Sequence, residues 1–151
     1  YHEKIGVNSR LDAFQAAVLR VKLRHLKAYE EKRAAIAQTY FQAFASQGLE
    51  EEVRVPVVGK DRKPVWNQFT IRARKRDELK AFLAEKKIGS EIYYPLPMHK
   101  QEAFLEPGEK PVHLPLCDAL EKDVLSLPMY PELPLDSVQR VVEAVAEFYR
   151  R

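Results

Sequence analysis

The amino-acid sequence predicts an α/β fold of the α+β-like kind: a small mixed, mainly antiparallel sheet covered by helices and preceded by one long linking helix. Apolar residues recur at helical spacing near both ends, short β-branched stretches lie between them, and 46% of the 151 residues are hydrophobic. A chain of this length can bury one core, because domains cluster near ~100–150 residues. We expect residues 1–48 to form a loop and a long interdomain helix, and residues 49–151 to form the small domain.

The first predicted element is a helix that begins near Ser9 and runs to Gly48. Ser9 followed three residues later by Asp12 resembles a capping box, with Asp in place of the usual Glu. Apolar residues then recur at helical spacing, and neither Gly nor Pro interrupts them before Gly48, which suits a C-terminal cap. Such a helix has roughly 35 residues, about three times the mean length, and a helix that long usually bridges two bodies.

Short β-branched or aromatic stretches bounded by Pro and Gly predict four strands, at residues 53–58, 66–73, 90–94 and 125–129. Helical spacing predicts three further helices, at residues 76–87, 116–124 and from about 136 onward. Gly89 closes the first of these, and Asp136 followed by Gln139 gives the last one a candidate cap. Five prolines between residues 95 and 115 predict a shaped loop with one helical turn near residues 102–105.

Composition and charge narrow the class of protein. The 25 basic and 22 acidic side chains leave a net charge of only +3, with the signs interleaved, so nothing demands nucleic acid as a partner. No apolar run approaches the ~18 residues that span a bilayer, and the single Cys117 can form no internal disulfide. The four histidines are too scattered for a metal site, and no complete catalytic motif is present. We therefore expect a cytoplasmic protein with no membrane, nucleic-acid or metal partner.

The stretch Gly6-Val7-Asn8-Ser9-Arg10 lies immediately before the predicted long helix. A loop in this place can present backbone N–H groups and the positive end of a helix dipole to an anion. Asn8 could donate an amide hydrogen bond to a phosphate, and Arg10 could add a charge-assisted one. The alternative is that these residues only cap the helix, as most polar residues at helix starts do.

A second group of polar side chains lies where a predicted strand enters the proline-rich loop. It comprises Tyr93, Tyr94, His99 and Gln101. Polar groups held on a stiff loop suit the recognition of a hydroxyl-rich ligand. The alternative is that one of the tyrosines fills the core while His99 is solvated.

Three stretches of the sequence match, in order, the motifs of one known family. The first is YHEKIGVNSRLDAFQAA at residues 1–17. The second, residues 88–104, contains Tyr94-Pro95-Leu96-Pro97 and then His99 to Gln101; the third is LSLPMYP at residues 125–131. Together they closely resemble the DegT/DnrJ/StrS family of PLP-dependent nucleotide-sugar aminotransferases, and the similarity runs through nearly the whole chain.

The resemblance implies the C-terminal domain of a fold type I aminotransferase, which supplies part of the substrate cleft at a homodimer interface. It implies pyridoxal 5'-phosphate (PLP) as the cofactor of the complete enzyme, with Asn8 reaching the cofactor phosphate of the neighbouring subunit and Arg10 beside it. Tyr94 and His99, with Tyr93 and Gln101, match the family's substrate-side loop, which implies contacts with a nucleotide-sugar. The implied reaction is ping-pong transfer of an amino group, from a donor such as glutamate, to a keto sugar.

Family enzymes carry the lysine that binds PLP upstream of the stretch that matches Tyr1. The resemblance therefore implies that these 151 residues contain no catalytic residue and form the C-terminal part of an enzyme. It also implies that the chain needs the large PLP-binding domain as a partner and that the chain alone is inactive.

The long helix leaves two alternatives open. It could dock a partner protein, which would make the chain a non-catalytic α/β interaction module. Its basic side chains could instead bind nucleic acid, but acidic residues interleave with them and no aromatic platform accompanies them. A solvated helix face is the simpler interpretation of the basic residues.

Overall fold

The computed structural model describes residues 3–106 and 108–151, which fall into two compact units. The sheet unit comprises Lys27–Tyr93 and Asp123–Arg151, and the loop unit comprises the described residues up to Leu26 together with those of Tyr94–Lys122. These units do not follow the boundary expected at residue 48. The assignment of residues 1–48 to an interdomain element and of residues 49–151 to a domain stays a prediction.

A three-stranded antiparallel sheet forms the centre of the sheet unit, with the strand order β1-β2-β3. Its strands are β1 (Val53–Arg54), β2 (Phe69–Ala73) and β3 (Val124–Leu127). Residues of β2 alternate between buried and half-buried, because successive side chains of a strand point to opposite faces. One face of the sheet therefore enters the core.

Helices supply the rest of the core. The described residues form α1 (Ala13–Leu23), α2 (Leu26–Ala45), α3 (Arg76–Glu85), α4 (Pro115–Asp123) and α5 (Leu135–Arg150). Two 3₁₀ turns, Met98–Lys100 and Glu102–Phe104, lie in the loop unit. The largest fully buried side chains of the three core helices α2, α3 and α5 are Ile36, Tyr40, Leu79, Leu83, Val138, Val142 and Val145. Among residues 3–106 and 108–151, no helix has the length and hydropathy needed to cross a bilayer.

The predicted fold class is confirmed, but the prediction of one long helix is wrong. The chain forms α1 and α2 instead, with a break at Arg24 and His25. The Arg24 amide donates to the Val21 carbonyl at 3.3 Å and the His25 amide to the Lys22 carbonyl at 3.0 Å, so i to i−3 hydrogen bonds close α1. Such a closing turn needs neither Gly nor Pro, and the sequence therefore contained no recognisable breaking signal.

Two predicted helix caps are also wrong. Asp12 alone caps α1, because its carboxylate accepts a hydrogen bond from the Gln15 amide at 2.8 Å, and Ser9 lies outside the helix. α5 begins after Pro134 without a side-chain cap, so Asp136 lies inside its first turn. Acidic residues in the first turn still favour the helix through its dipole.

The strands are shorter than predicted. The stretch at 53–58 keeps only β1, since Pro56 has no N–H to donate to a ladder. β2 begins after Trp66, whose φ of 50° is left-handed and incompatible with a strand. The stretch at 90–94 contributes one bridge, between Glu91 and Ser126. The helical turn predicted near residues 102–105 is confirmed as the second 3₁₀ turn.

The buried hydroxyl of Tyr40 gives a direct test of how α2 is held. Its ring is fully buried and stacks on Phe69 at 4.6 Å between centroids, and its hydroxyl donates to the Pro128 carbonyl at 2.9 Å. Burial raises the pKa of Tyr40 well above its usual value, so the hydroxyl remains a donor. We expect Tyr40→Phe to lower the free energy of unfolding by about 1 kcal/mol, because the carbonyl loses its partner.

The measurement is urea unfolding of the 151-residue chain, with the exposed Tyr130→Phe as the matched control. Tyr130 is 46% exposed, and the loss of its hydroxyl should leave the midpoint nearly unchanged. Equal midpoints for both variants would contradict the role given to the Tyr40 hydrogen bond.

Candidate functional site

The loop at residues 6–10 is exposed and carries its own local hydrogen bond. Asn8 Oδ1 accepts a hydrogen bond from the Arg10 backbone N–H at 3.0 Å, and Arg10 has a left-handed φ of 64°. With Oδ1 engaged in this turn, the Asn8 Nδ2 hydrogens are the part of the amide left to donate to a ligand. A Cβ placed on Gly6 meets no atom within 4 Å, so the loop lies beside open space.

The start of α1 does not complete an anion site in the way the sequence predicted. α1 begins at Ala13, two residues beyond Leu11, and the Asp12 carboxylate already accepts the hydrogen bond of an N-terminal amide. A carboxylate at this position occupies the positive end of the helix dipole and would repel a phosphate there. The alternative, that Asn8 and Arg10 only cap the helix, does not hold, because Asp12 is the cap. Any anion held by this loop is held by the two side chains themselves.

The proline-rich loop, residues 94–114, is stiffened by a buried amide. Gln101 is 5% exposed, and its Nε2 donates to the Leu96 carbonyl at 2.8 Å. Between them, the Lys100 amide donates to the Pro97 carbonyl at 2.9 Å and closes the first 3₁₀ turn. The Gln101 side chain therefore ties together the turn at residues 96–101.

A cluster of charged side chains ties the same loop to α4. Lys100 Nζ lies 2.6 Å from Asp118 Oδ1 and 2.5 Å from Glu121 Oε2, and His113 Nδ1 lies 2.8 Å from Asp118 Oδ2. The Lys100 ammonium lowers the pKa of Asp118, and the carboxylates of Asp118 and Glu121 raise the pKa of Lys100. Since the pKa of Asp118 is lowered, its stabilising effect is complete above the ordinary pKa of Asp and is lost as the pH falls through the lowered value.

His99 and the tyrosines lie in different surroundings. His99 is 18% exposed, its Nε2 is buried without a hydrogen-bond partner among the described residues, and this atom lies 4.0 Å from Asp118 Oδ1. Tyr94 belongs to the loop unit and is largely exposed. Tyr93 belongs to the sheet unit, where it lines a cleft of about 360 Å³ together with Asn67, Gln68 and Glu91.

The structure thus brings His99 and Gln101 together on one turn, on either side of Lys100. Sequence reasoning missed the group that holds this turn: Lys100, His113, Asp118 and Glu121. The signal was present in part, because acidic residues at positions 118 and 121 share one face of a helix. Nothing in the sequence showed which basic residues of the loop would meet them. The binding roles of Asn8, Arg10, Tyr93, Tyr94, His99 and Gln101 stay predictions.

The fold is that of part of an aminotransferase. It matches the crystal structure of DesV from Streptomyces venezuelae in complex with a ketimine intermediate, with a TM-score of 0.81 and 37% sequence identity. The match covers 100% of this chain and 40% of that one. The chain belongs to the DegT/DnrJ/EryC1/StrS aminotransferase family, whose sequence model matches residues 1–146. The family and the fold expected from the three motifs are confirmed.

Two curated relatives align over 99% of this chain. One is a "pleiotropic regulatory protein" of Geobacillus stearothermophilus, which is 47% identical over 150 residues. The match covers 40% of that protein's length. The other is the dTDP-3-amino-3,4,6-trideoxy-α-D-glucose transaminase of Streptomyces venezuelae, which is 41% identical over 152 residues. The match covers 39% of that enzyme's length. The chain therefore spans about 40% of the length of the relatives that it matches.

The role of Gln101 in fixing the loop can be tested without any ligand. Gln101→Ala removes the Nε2 donor to Leu96, and we expect the first 3₁₀ turn to open more readily, by about 1 kcal/mol, or roughly fivefold in amide exchange. Hydrogen exchange of the Lys100 amide measures this. Gln38→Ala is the control, since it removes an exposed amide from α2. Unchanged exchange at Lys100 would mean that the loop keeps its conformation without the Gln101 amide.

Proposed function

We propose that this chain is part of a PLP-dependent aminotransferase that transfers an amino group, with glutamate as the donor, to a keto nucleotide-sugar. The observation that carries the proposal is membership of the DegT/DnrJ/EryC1/StrS family over residues 1–146, together with a 41% identical relative that is a nucleotide-sugar transaminase. We propose the cytoplasm as its compartment, in keeping with a single cysteine.

The loop at residues 6–10 fits the phosphate of PLP. An amide and a guanidinium, both exposed, form a donor set suited to a phosphate, and the space beside Gly6 is open. In the proposed enzyme, Asn8 Nδ2 donates to the phosphate and Arg10 adds a charged donor. PLP, when bound, supplies the electron sink and carries the amino group. We place the lysine that binds it outside these 151 residues.

A homodimer is part of the proposal, with Asn8 serving the cofactor site of the neighbouring subunit. α1 contains no buried residue among those described, although Phe14 and Leu23 are large and apolar. Large apolar side chains left exposed on a helix are often covered by another domain or subunit. In the proposed enzyme, the large domain or the second subunit covers α1.

The proline-rich loop is the proposed sugar-binding element. Tyr94 presents an exposed ring and hydroxyl, which suit stacking on a base or sugar and hydrogen bonding to a hydroxyl. Tyr93 lines the cleft together with Asn67, Gln68 and Glu91. Gln101 holds the turn, and His99, which is 18% exposed, is the proposed ligand contact next to it. The chain thus binds and orients the nucleotide-sugar.

A second candidate function is a non-catalytic interaction module. The observations that favour it are the exposed apolar residues of α1 and the 47% identity to a protein named as a regulator. It predicts partner binding through α1 and no contribution to amino transfer. The two candidates are separated by placing this chain in an active enzyme.

The decisive experiment is a chimera in which this chain replaces the matching part of the Streptomyces venezuelae transaminase. We expect the chimera to move the amino group of dTDP-3-amino-3,4,6-trideoxy-α-D-glucose to 2-oxoglutarate, because the chain supplies the same loops. The unaltered transaminase is the control, and the 151-residue chain alone should be inactive. A folded chimera that binds PLP but transfers no amino group would contradict the proposed function and favour the interaction module.

The cofactor contact has its own test in the same chimera. Asn8→Ala removes one hydrogen bond to a charged group, and we expect PLP to bind on the order of tenfold more weakly. Titration of the cofactor-free protein with PLP, followed by the change in its absorbance, measures this independently of turnover. Gln38→Ala, which removes an exposed amide on α2, is the matched control. Equal PLP affinity of the two variants would remove Asn8 from the cofactor site.

A further inference from the structure

Three basic residues of the proline-rich loop converge on one carboxylate of α4. Asp118 forms an ion pair with Lys100 at 2.6 Å, its Oδ2 lies 2.8 Å from His113 Nδ1, and its Oδ1 lies 4.0 Å from His99 Nε2. All four residues belong to the loop unit. Asp118 therefore faces both the start and the end of the segment between residues 99 and 113.

The geometry makes Asp118 an anchor for two parts of the loop. Its two carboxylate oxygens serve different partners, Oδ1 for Lys100 and Oδ2 for His113. Because the carboxylate is planar and rigid, the position of Lys100 on one oxygen and that of His113 on the other depend on each other. Removal of its charge would release both parts of the loop together.

Lys100 lies between His99 and Gln101, two of the residues assigned to the sugar-binding loop. Its ammonium is held on one side by Asp118 and Glu121, while the backbone beside it is held by the Gln101 amide. Partly exposed ion pairs add little to overall stability. Their effect here is on the position of the loop rather than on the free energy of the fold.

We propose that Asp118 is a positioning residue for nucleotide-sugar binding: through Lys100 and His113 it holds the proline-rich loop in the conformation that presents Tyr94 and His99 to the ligand. This inference rests on the proposed function and adds to it a residue that touches neither sugar nor cofactor. It also implies that a carboxylate, rather than any polar side chain, is needed at position 118.

The first measurement uses the 151-residue chain. Asp118→Asn keeps the shape of the side chain and removes its charge, and we expect faster hydrogen exchange at the Lys100 and Phe104 amides, which close the two 3₁₀ turns. Asp136→Asn, an exposed change on α5, is the control. Unchanged exchange in Asp118→Asn relative to this control would overturn the inference.

The second measurement is calorimetric binding of dTDP-3-amino-3,4,6-trideoxy-α-D-glucose to the chimera, which needs no turnover. A loop displaced by its missing anchor should weaken binding on the order of tenfold to a hundredfold. We expect Asp118→Glu to restore much of the affinity, and the PLP affinity to be the same in all variants. A purely structural role predicts instead that PLP binding and sugar binding fall together, and that result would overturn the inference.

The same data separate this inference from the proposed function. A chimera that binds the sugar through Asp118 but transfers no amino group counts against the proposed function alone. Amino transfer with a sugar affinity that is insensitive to Asp118→Asn counts against the inference alone. Absence of sugar binding in a folded chimera that binds PLP would overturn the inference together with the assignment of the loop.

Discussion

Burial of one face of β2 is the constraint on which the sheet unit depends. β2 pairs with a strand on each side, and its inward residues Phe69, Ile71 and Ala73 lie in a core to which α2, α3 and α5 all contribute. Phe69 stacks on Tyr40, whose hydroxyl donates to the carbonyl of Pro128, directly after β3. A stacked ring and a buried hydrogen bond thus fix α2 against the end of the sheet. One cleft is lined by residues from three segments beside this end of the sheet, at positions 67–68, 89–93 and 128–129. The packing of the core therefore also determines the position of Tyr93.

The sequence predicted those parts of the fold whose local signal agrees with their tertiary surroundings. The apolar stripe of α5 is one example, because Val138, Val142 and Val145 lie on one helix face and the core needs that face. The break between α1 and α2 was missed because it is made by backbone hydrogen bonds after Val21 and Lys22, which leave no mark in composition. The predicted strands were too long because periodicity reports which residues favour a strand, while pairing depends on a partner at the right place. For the site, the motifs proposed Asn8, Tyr94 and the loop as candidates, but the link between Lys100 and Asp118 depends on tertiary proximity.

The loop unit follows different physics from the sheet unit. α1 buries none of its described residues, and Gln101 is the buried polar residue around which the proline-rich loop is arranged. With little apolar burial of its own, this unit relies on hydrogen bonds and ion pairs for its local conformation. The apolar side chains of Phe14 and Leu23 are exposed instead of buried in this unit. They form apolar surface on which another domain or subunit can pack.

Weak ion pairs can nevertheless determine a binding site, because stability and position are different quantities. An exposed pair contributes little free energy to folding, since water solvates the separated charges almost as well. The same pair selects among loop conformations that differ little in energy, and ligand affinity falls in proportion to the population of the competent one. Prolines at positions 95, 97 and 111 already reduce the number of those conformations. One carboxylate that contacts Lys100 and His113 then selects among the few that remain, which is how the half-buried Asp118 positions, in our proposal, a loop that precedes its own helix.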